Sequence, residues 1–290
     1  MKGGRIRRGW ELAKQSWAIL RADRALALFP VVSAVAITFA ALLIVGPGVA
    51  LFATGASKPA GVALWVVGGY VLTFIGIYCN TALAAAAAQA LDGQRATLGD
   101  GFAAVRSRRG VIAQWALVQM TVGLLIQVIQ GLLSESSLGR VVAGIFAGLA
   151  SAAWAIATFF VLPILALEGL GPKEALTRSA HVIRARWGEG LIGNGSITGL
   201  VILFAVLPAV GIGALGVVVA GSTVGGGVAL IALAVAIVIG AMIVGSTLSV
   251  IFRVALFRFA TKDKVVGGFE PAALEGAFRQ RGGRRRRALA

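Results

Sequence analysis

Residues 177–190 read "TRSAHVIRARWGEG" and hold the chain's single histidine, His181, among Arg178, Arg184 and Arg186, with Glu189 just beyond. An imidazole titrates near neutrality and can move a proton, while guanidinium groups grip phosphate oxygens. Together with Glu168, these residues could act on a phosphorylated lipid headgroup, provided that they converge on one pocket. Their spacing argues against convergence. A "GLGP" break separates His181 from Glu168, and Glu189 lies on a different helical face from His181.

The segment is also not unique. "RARW" (184–187) corresponds to "RSRR" (106–109) and "RADR" (21–24), each placed just before an apolar run. Upstream, the positions i, i+4, i+7 and i+11 are Leu176, Ala180, Ile183 and Trp187 in one copy. They are Leu98, Phe102, Val105 and Arg109 in a second copy, and Ala13, Trp17, Leu20 and Arg24 in a third. This spacing predicts one apolar helical face in each copy. The copies lie 85 and 78 residues apart, so each unit reads as a cytosolic amphipathic helix followed by a two-span hairpin. His181 falls opposite the apolar face, where the other copies place Ala18 and Ala103. The cluster is therefore read as structural, and no catalytic residue is assigned.

The apolar runs dominate the chain. It is 58% hydrophobic, with only 13% charged residues and a mean hydropathy of +0.91, far outside the range of soluble domains. A membrane helix needs about 20 apolar residues, and six stretches qualify: 25–46, 62–90, 111–133, 141–167, 190–219 and 226–257. The expected fold is all-α, a polytopic membrane protein of six transmembrane helices. A single membrane domain covers 1–267, with repeats at about 9–90, 94–167 and 172–260, and a basic tail follows over 268–290. Pro163 and Pro208 fall inside the fourth and fifth spans and should kink them. No cleavable leader is expected, because polar and basic residues fill the segment before the first apolar run.

The net charge of +16 is distributed unevenly. Of the 27 Lys and Arg residues, 25 lie in the N-terminal segment, in the connections after spans two and four, and at the C-terminal side from Arg253 to Arg287. Only Lys58 and Arg140 fall on the other side. The positive-inside rule then places both termini in the cytoplasm of a bacterial inner membrane.

Elsewhere the chemistry is sparse. One cysteine, Cys79, excludes an intrachain disulfide, and no metal or nucleotide motif occurs, so neither metal nor cofactor is expected. Gln119, Gln127 and Gln130 share one side of span three, either as a polar strip along a path or as interhelical hydrogen-bonding groups. The pairs Gly144/Gly148, Gly195/Gly199 and Gly221/Gly225 suggest close helix packing. Asp92 and Glu168, each followed by glycine, read as helix stops that could pair with a nearby arginine. The final "RQRGGRRRR" should be drawn to anionic lipid and disordered in isolation. Nucleic acid is not an expected partner, since no aromatic residue interleaves that run.

Three long stretches carry a resemblance: "GWELAKQSWAILRADRALALFP" (9–30), "LDGQRATLGDGFAAVRSRRG" (91–110) and "AAWAIATFFVLPILALEGLGPKEALTRSAHVIRARWGEGLIGN" (152–194). With "LFRFATKDKVVGGFEPAALEGAF" (256–278), they resemble an uncharacterised family of bacterial six-span membrane proteins known as a domain of unknown function. The resemblance implies the architecture and brings no activity with it.

The leading expectation is a non-enzymatic membrane protein. Its basic cytosolic face, from Arg21, Arg24, Arg106, Arg108, Arg109, Arg184, Arg186 and Trp187, would bind anionic lipid or scaffold a protein partner. A homo-oligomer would fit the same chemistry. The alternative is a transporter for a lipid or small uncharged solute, with the glutamines lining its path.

Overall fold

Proline and glycine set where the helices bend, and the apolar runs set their lengths. The structure, a computed structural model, describes residues 16–134, 136–186 and 205–262. Within them every regular element is helical. In order they are α1 (16–22), a 3-10 turn (Arg24–Ala27), α2 (Leu28–Ala40), a π turn (Ala41–Val45), α3 (Gly46–Ala53) and α4 (Lys58–Leu91). There follow α5 (Leu98–Arg106), α6 (Arg109–Leu133), α7 (Ser137–Ala157), α8 (Val161–Leu167), α9 (Pro172–Arg186), α10 (Leu207–Ala220) and α11 (Val224–Lys262).

Among the described residues, five helical stretches are long and apolar enough to cross a membrane: Arg24–Ala53, Lys58–Leu91, Arg109–Leu133, Ser137–Leu167 and Val224–Thr261. Leu42, Leu132, Leu138 and Val218 are among many large apolar side chains more than 60% exposed. Such a surface would aggregate in water, so these helices suggest a membrane protein. The first half of the stretch expected as a span over 190–219 falls outside the described residues. Its described part lies mostly in the 14-residue α10.

Two compact units are present. One contains Leu28–Gln89 and Ala96–Ala185. Here α3 and α4 form a hairpin across a turn with Gly55 at φ +71°. Gly48 and Gly61 let the two backbones approach, since a Cβ on Gly61 would lie 2.9 Å from the Gly48 carbonyl. The π turn precedes Pro47, which has no N–H to offer and whose ring crowds the preceding turn. The widened turn absorbs this, and the Gly46 N–H reaches back to the Ala41 carbonyl. Between α7 and α8 the helix breaks over 158–160, the bend expected from Pro163. The other unit gathers 16–27, 90–95 and the described residues from Arg186 onward. Its α10–α11 hairpin closes on Gly216 and Gly227, where a Cβ on Gly227 would sit 2.6 Å from the Ala220 Cα.

The glycine pairs singled out by spacing do not make these contacts. Gly144, Gly148 and Gly225 face open space where a Cβ would go, and Gly195 and Gly199 lie outside the described residues. Each crossing here needs a small residue only at its closest approach, which a four-residue spacing does not locate.

Candidate functional site

The basic residues sit where apolar helices begin or end, and local capping fixes their positions. At the start of α5, the Thr97 Oγ1 donates to Asp100 Oδ2 at 2.6 Å, and the Asp100 N–H donates back to Thr97 Oγ1 at 3.2 Å. The Thr97 N–H also reaches Asp100 Oδ2, at 3.1 Å, completing a capping box. Hydrogen bonds from the Thr97 side chain, and then its backbone, hold the exposed Asp100 carboxyl below the usual carboxylate range. A depressed carboxyl contributes stability that is fully present above its unfolded pKa, about 4, and lost as pH falls through the folded value. Wild type should therefore exceed Asp100→Ala in thermal stability at pH 7, and the gap should close as pH drops below about 4. A gap that stayed constant down to pH 2 would contradict the cap.

α5 delivers Arg106 at its last turn and α6 opens at Arg109. Between them Arg108 turns inward, and its guanidinium donates to the carbonyls of Ala166 and Leu165 at the end of α8. A cation at a helix C-terminus meets both the orphan carbonyls and the helix dipole. Gly169, at φ +65°, makes room, because a Cβ there would approach Arg108 Nε to 3.0 Å. Arg108, expected as a lipid or partner contact, is thus engaged in capping. Glu168, beside this glycine, pairs with Arg178 at 3.4 Å. In the other unit, Asp92 takes both guanidinium nitrogens of Arg258, at 2.6 and 2.9 Å. Both carboxylate–glycine helix stops therefore carry arginine partners, and Gly93 is at φ +76°.

On α9 the apolar face is displaced by one residue from its expected centre. Ala175, Ser179 and Val182 are buried, while Leu176, Ala180 and Ile183 are half-buried flanks. Ser179, fully buried, accepts the N–H of Phe160 at 3.2 Å, in the break between α7 and α8. His181 and Arg184 are exposed on the other side. Trp187, Glu189 and the side chain of Arg186 lie outside the described residues. Arg21 and Arg24 are exposed, as are Arg106 and Arg109. Among the described residues, no three His, Cys, Asp or Glu side chains gather as metal ligands.

The three glutamines differ in their surroundings. Gln119 accepts the indole N–H of Trp154, whose ring stacks on Trp115 with centroids 5.9 Å apart. Gln127 and Gln130 are exposed. From Arg109, a rise of 1.5 Å per residue puts Gln119 about 15 Å along the axis and Gln127 and Gln130 about 27 and 32 Å along it. Of the three, only Gln119 lies near the middle of α6, and its side-chain carbonyl accepts from Trp154 of a neighbouring helix.

A family model described as "Family of unknown function (DUF6159)" matches residues 57–268. The chain belongs to this family. The match runs from the start of α4 through α11, and so includes the junction of α5 and α6. It leaves α1 to α3 outside. No curated protein matches the chain, and no solved structure does.

Proposed function

We propose that the protein is a six-span membrane protein of a bacterial inner membrane, with both termini cytoplasmic, that binds anionic lipid through the basic cytosolic ends of its helices. The role is binding rather than catalysis. The observation that carries this reading is the placement of 25 of 27 Lys and Arg residues on one side of the apolar runs. Each basic residue near an anionic leaflet contributes about 1 kcal/mol at ordinary salt. Arg21, Arg24, Arg106, Arg109 and Arg184 are exposed, and within the described residues no ion pair holds them.

Supporting a threefold repeat, Ser16, Gly101 and Ser179 occupy the same register position in the three copies, and all three are buried. In the proposed architecture each amphipathic helix presses one small residue inward and turns one arginine outward at a shared register position, Arg21, Arg106 and Arg184. The hydrogen bond between Gln119 and Trp154 counts against the solute path that the glutamine row suggested.

The test is extraction of the full chain into polymer-bounded native discs, with the retained lipid compared with the bulk membrane. Anionic lipid should be enriched, and the enrichment should fall as salt rises. Retained lipid of bulk composition at low salt would refute the reading. A stoichiometric protein partner without lipid enrichment would replace it with the scaffold.

A further inference from the structure

At the turn joining α5 to α6 lies an open concavity of about 460 Å³, lined among the described residues by Ala103, Arg106, Ser107 and Arg109. All four residues are exposed. Arg108, between the two lining arginines, points away to cap α8. Neither Arg106 nor Arg109 meets a carboxylate among the described residues. The nearest acidic residue in sequence, Asp100, is engaged by Thr97. Arg106, Ser107 and Arg109 thus border one concavity, and guanidinium and hydroxyl groups are the donors that a phosphodiester's oxygens accept. α6 turns apolar directly after Arg109, exposing Leu117 and Leu124 further along. At about 37 Å, α6 exceeds the hydrocarbon thickness of about 30 Å, which leaves its first turn at headgroup depth. That continuity with an apolar surface points to a lipid rather than a soluble phosphate.

We propose that this concavity is a discrete site for one anionic phospholipid, its phosphate held between Arg106 and Arg109 with a hydrogen bond from Ser107. The site rests on the lipid-binding reading above and makes a claim that a diffuse basic face does not. It requires space as well as charge.

The experiment is native mass spectrometry of the full chain, delipidated in mild detergent and titrated with phosphatidylglycerol, with phosphatidylcholine as the zwitterionic control. The expected result is one tightly retained phosphatidylglycerol. Arg106→Gln with Arg109→Gln should weaken that step about thirtyfold. Ala103→Phe places a ring at the lining of the concavity without altering any charge and should also weaken it. Arg140→Gln, at an exposed arginine outside the basic face, should leave the first lipid in place. Thermal melting of each variant checks that the protein is folded. If wild type prefers phosphatidylglycerol but Ala103→Phe and the double variant bind as wild type does, the site is wrong and the basic-face reading stands. If wild type shows no preference for the anionic lipid, both fail. Displacement of the lipid by an equal concentration of inorganic phosphate would overturn the assignment to a lipid headgroup.

Discussion

Gly101→Val is expected to lower the unfolding free energy by about 3 kcal/mol, the upper end of the usual cost of overpacking. Gly101 is buried on α5. A Cβ there would lie 2.9 Å from the Ala82 carbonyl oxygen of α4 and would also collide with the Phe29 ring. Phe29 and Ala82 are both fully buried, and Phe102 beside them packs on Phe29 and Tyr78 with centroids 5.4 and 5.8 Å away. The aromatic ring can shift, whereas the backbone carbonyl of a long helix cannot. Even Gly101→Ala should destabilise, although alanine is better in an isolated helix by about 1 kcal/mol. Adding Phe29→Leu to Gly101→Val should recover only part of the loss, because the Ala82 carbonyl remains. Denaturant unfolding in detergent measures all three variants. Wild-type stability for Gly101→Val would mean that α5 does not dock through this glycine.

This residue also marks where sequence reading stops. Helix lengths were legible because long apolar runs end at charged or turn residues. The stretches read as 62–90 and 111–133 are helices Lys58–Leu91 and Arg109–Leu133. The 3.6-residue period gave the correct side of α9 but centred it one residue late, on Leu176, Ala180 and Ile183. Hydrophobicity marks the large flanking side chains. Closest approach belongs to small residues such as Ser179 and Gly101, which hydropathy scores as weak. Side chains on a helix also lean toward its N-terminus, so the covered surface is shifted relative to the Cα positions. The π turn before Pro47 escaped for a different reason: proline reports that the hydrogen-bond ladder is disturbed, not how the chain absorbs the disturbance. At the candidate site the arginines were evident from charge counting. That Arg108 caps α8 while its neighbours line a concavity depends on contacts 57 and 58 residues away in sequence, which no local pattern encodes.

Ser179→Ala is expected to cost about 2 kcal/mol, within the range for removing the partner of a buried polar group. Ser179 is fully buried and accepts the Phe160 N–H at 3.2 Å. Phe160 lies in the break that Pro163 imposes, outside the regular ladder of α7 and α8. The serine hydroxyl supplies the acceptor that the interrupted helix lacks, and so ties α9 to the bend. Two effects can be separated. Ser179→Ala removes the acceptor and leaves the volume almost unchanged, whereas Ser179→Leu overfills a closed site and should cost more, about 3 kcal/mol. Hydrogen exchange at the Phe160 amide reports the first effect directly: exchange should accelerate in Ser179→Ala relative to amides in the interior of α6. Were that amide equally protected in the two proteins, the bond would contribute nothing and the serine would act only through its size. If exchange quickens as expected, the docking of α9 depends on a polar contact at a proline-made bend. The exposed face carrying His181 and Arg184 is then oriented by a residue that carries no charge and that no catalytic motif would have singled out.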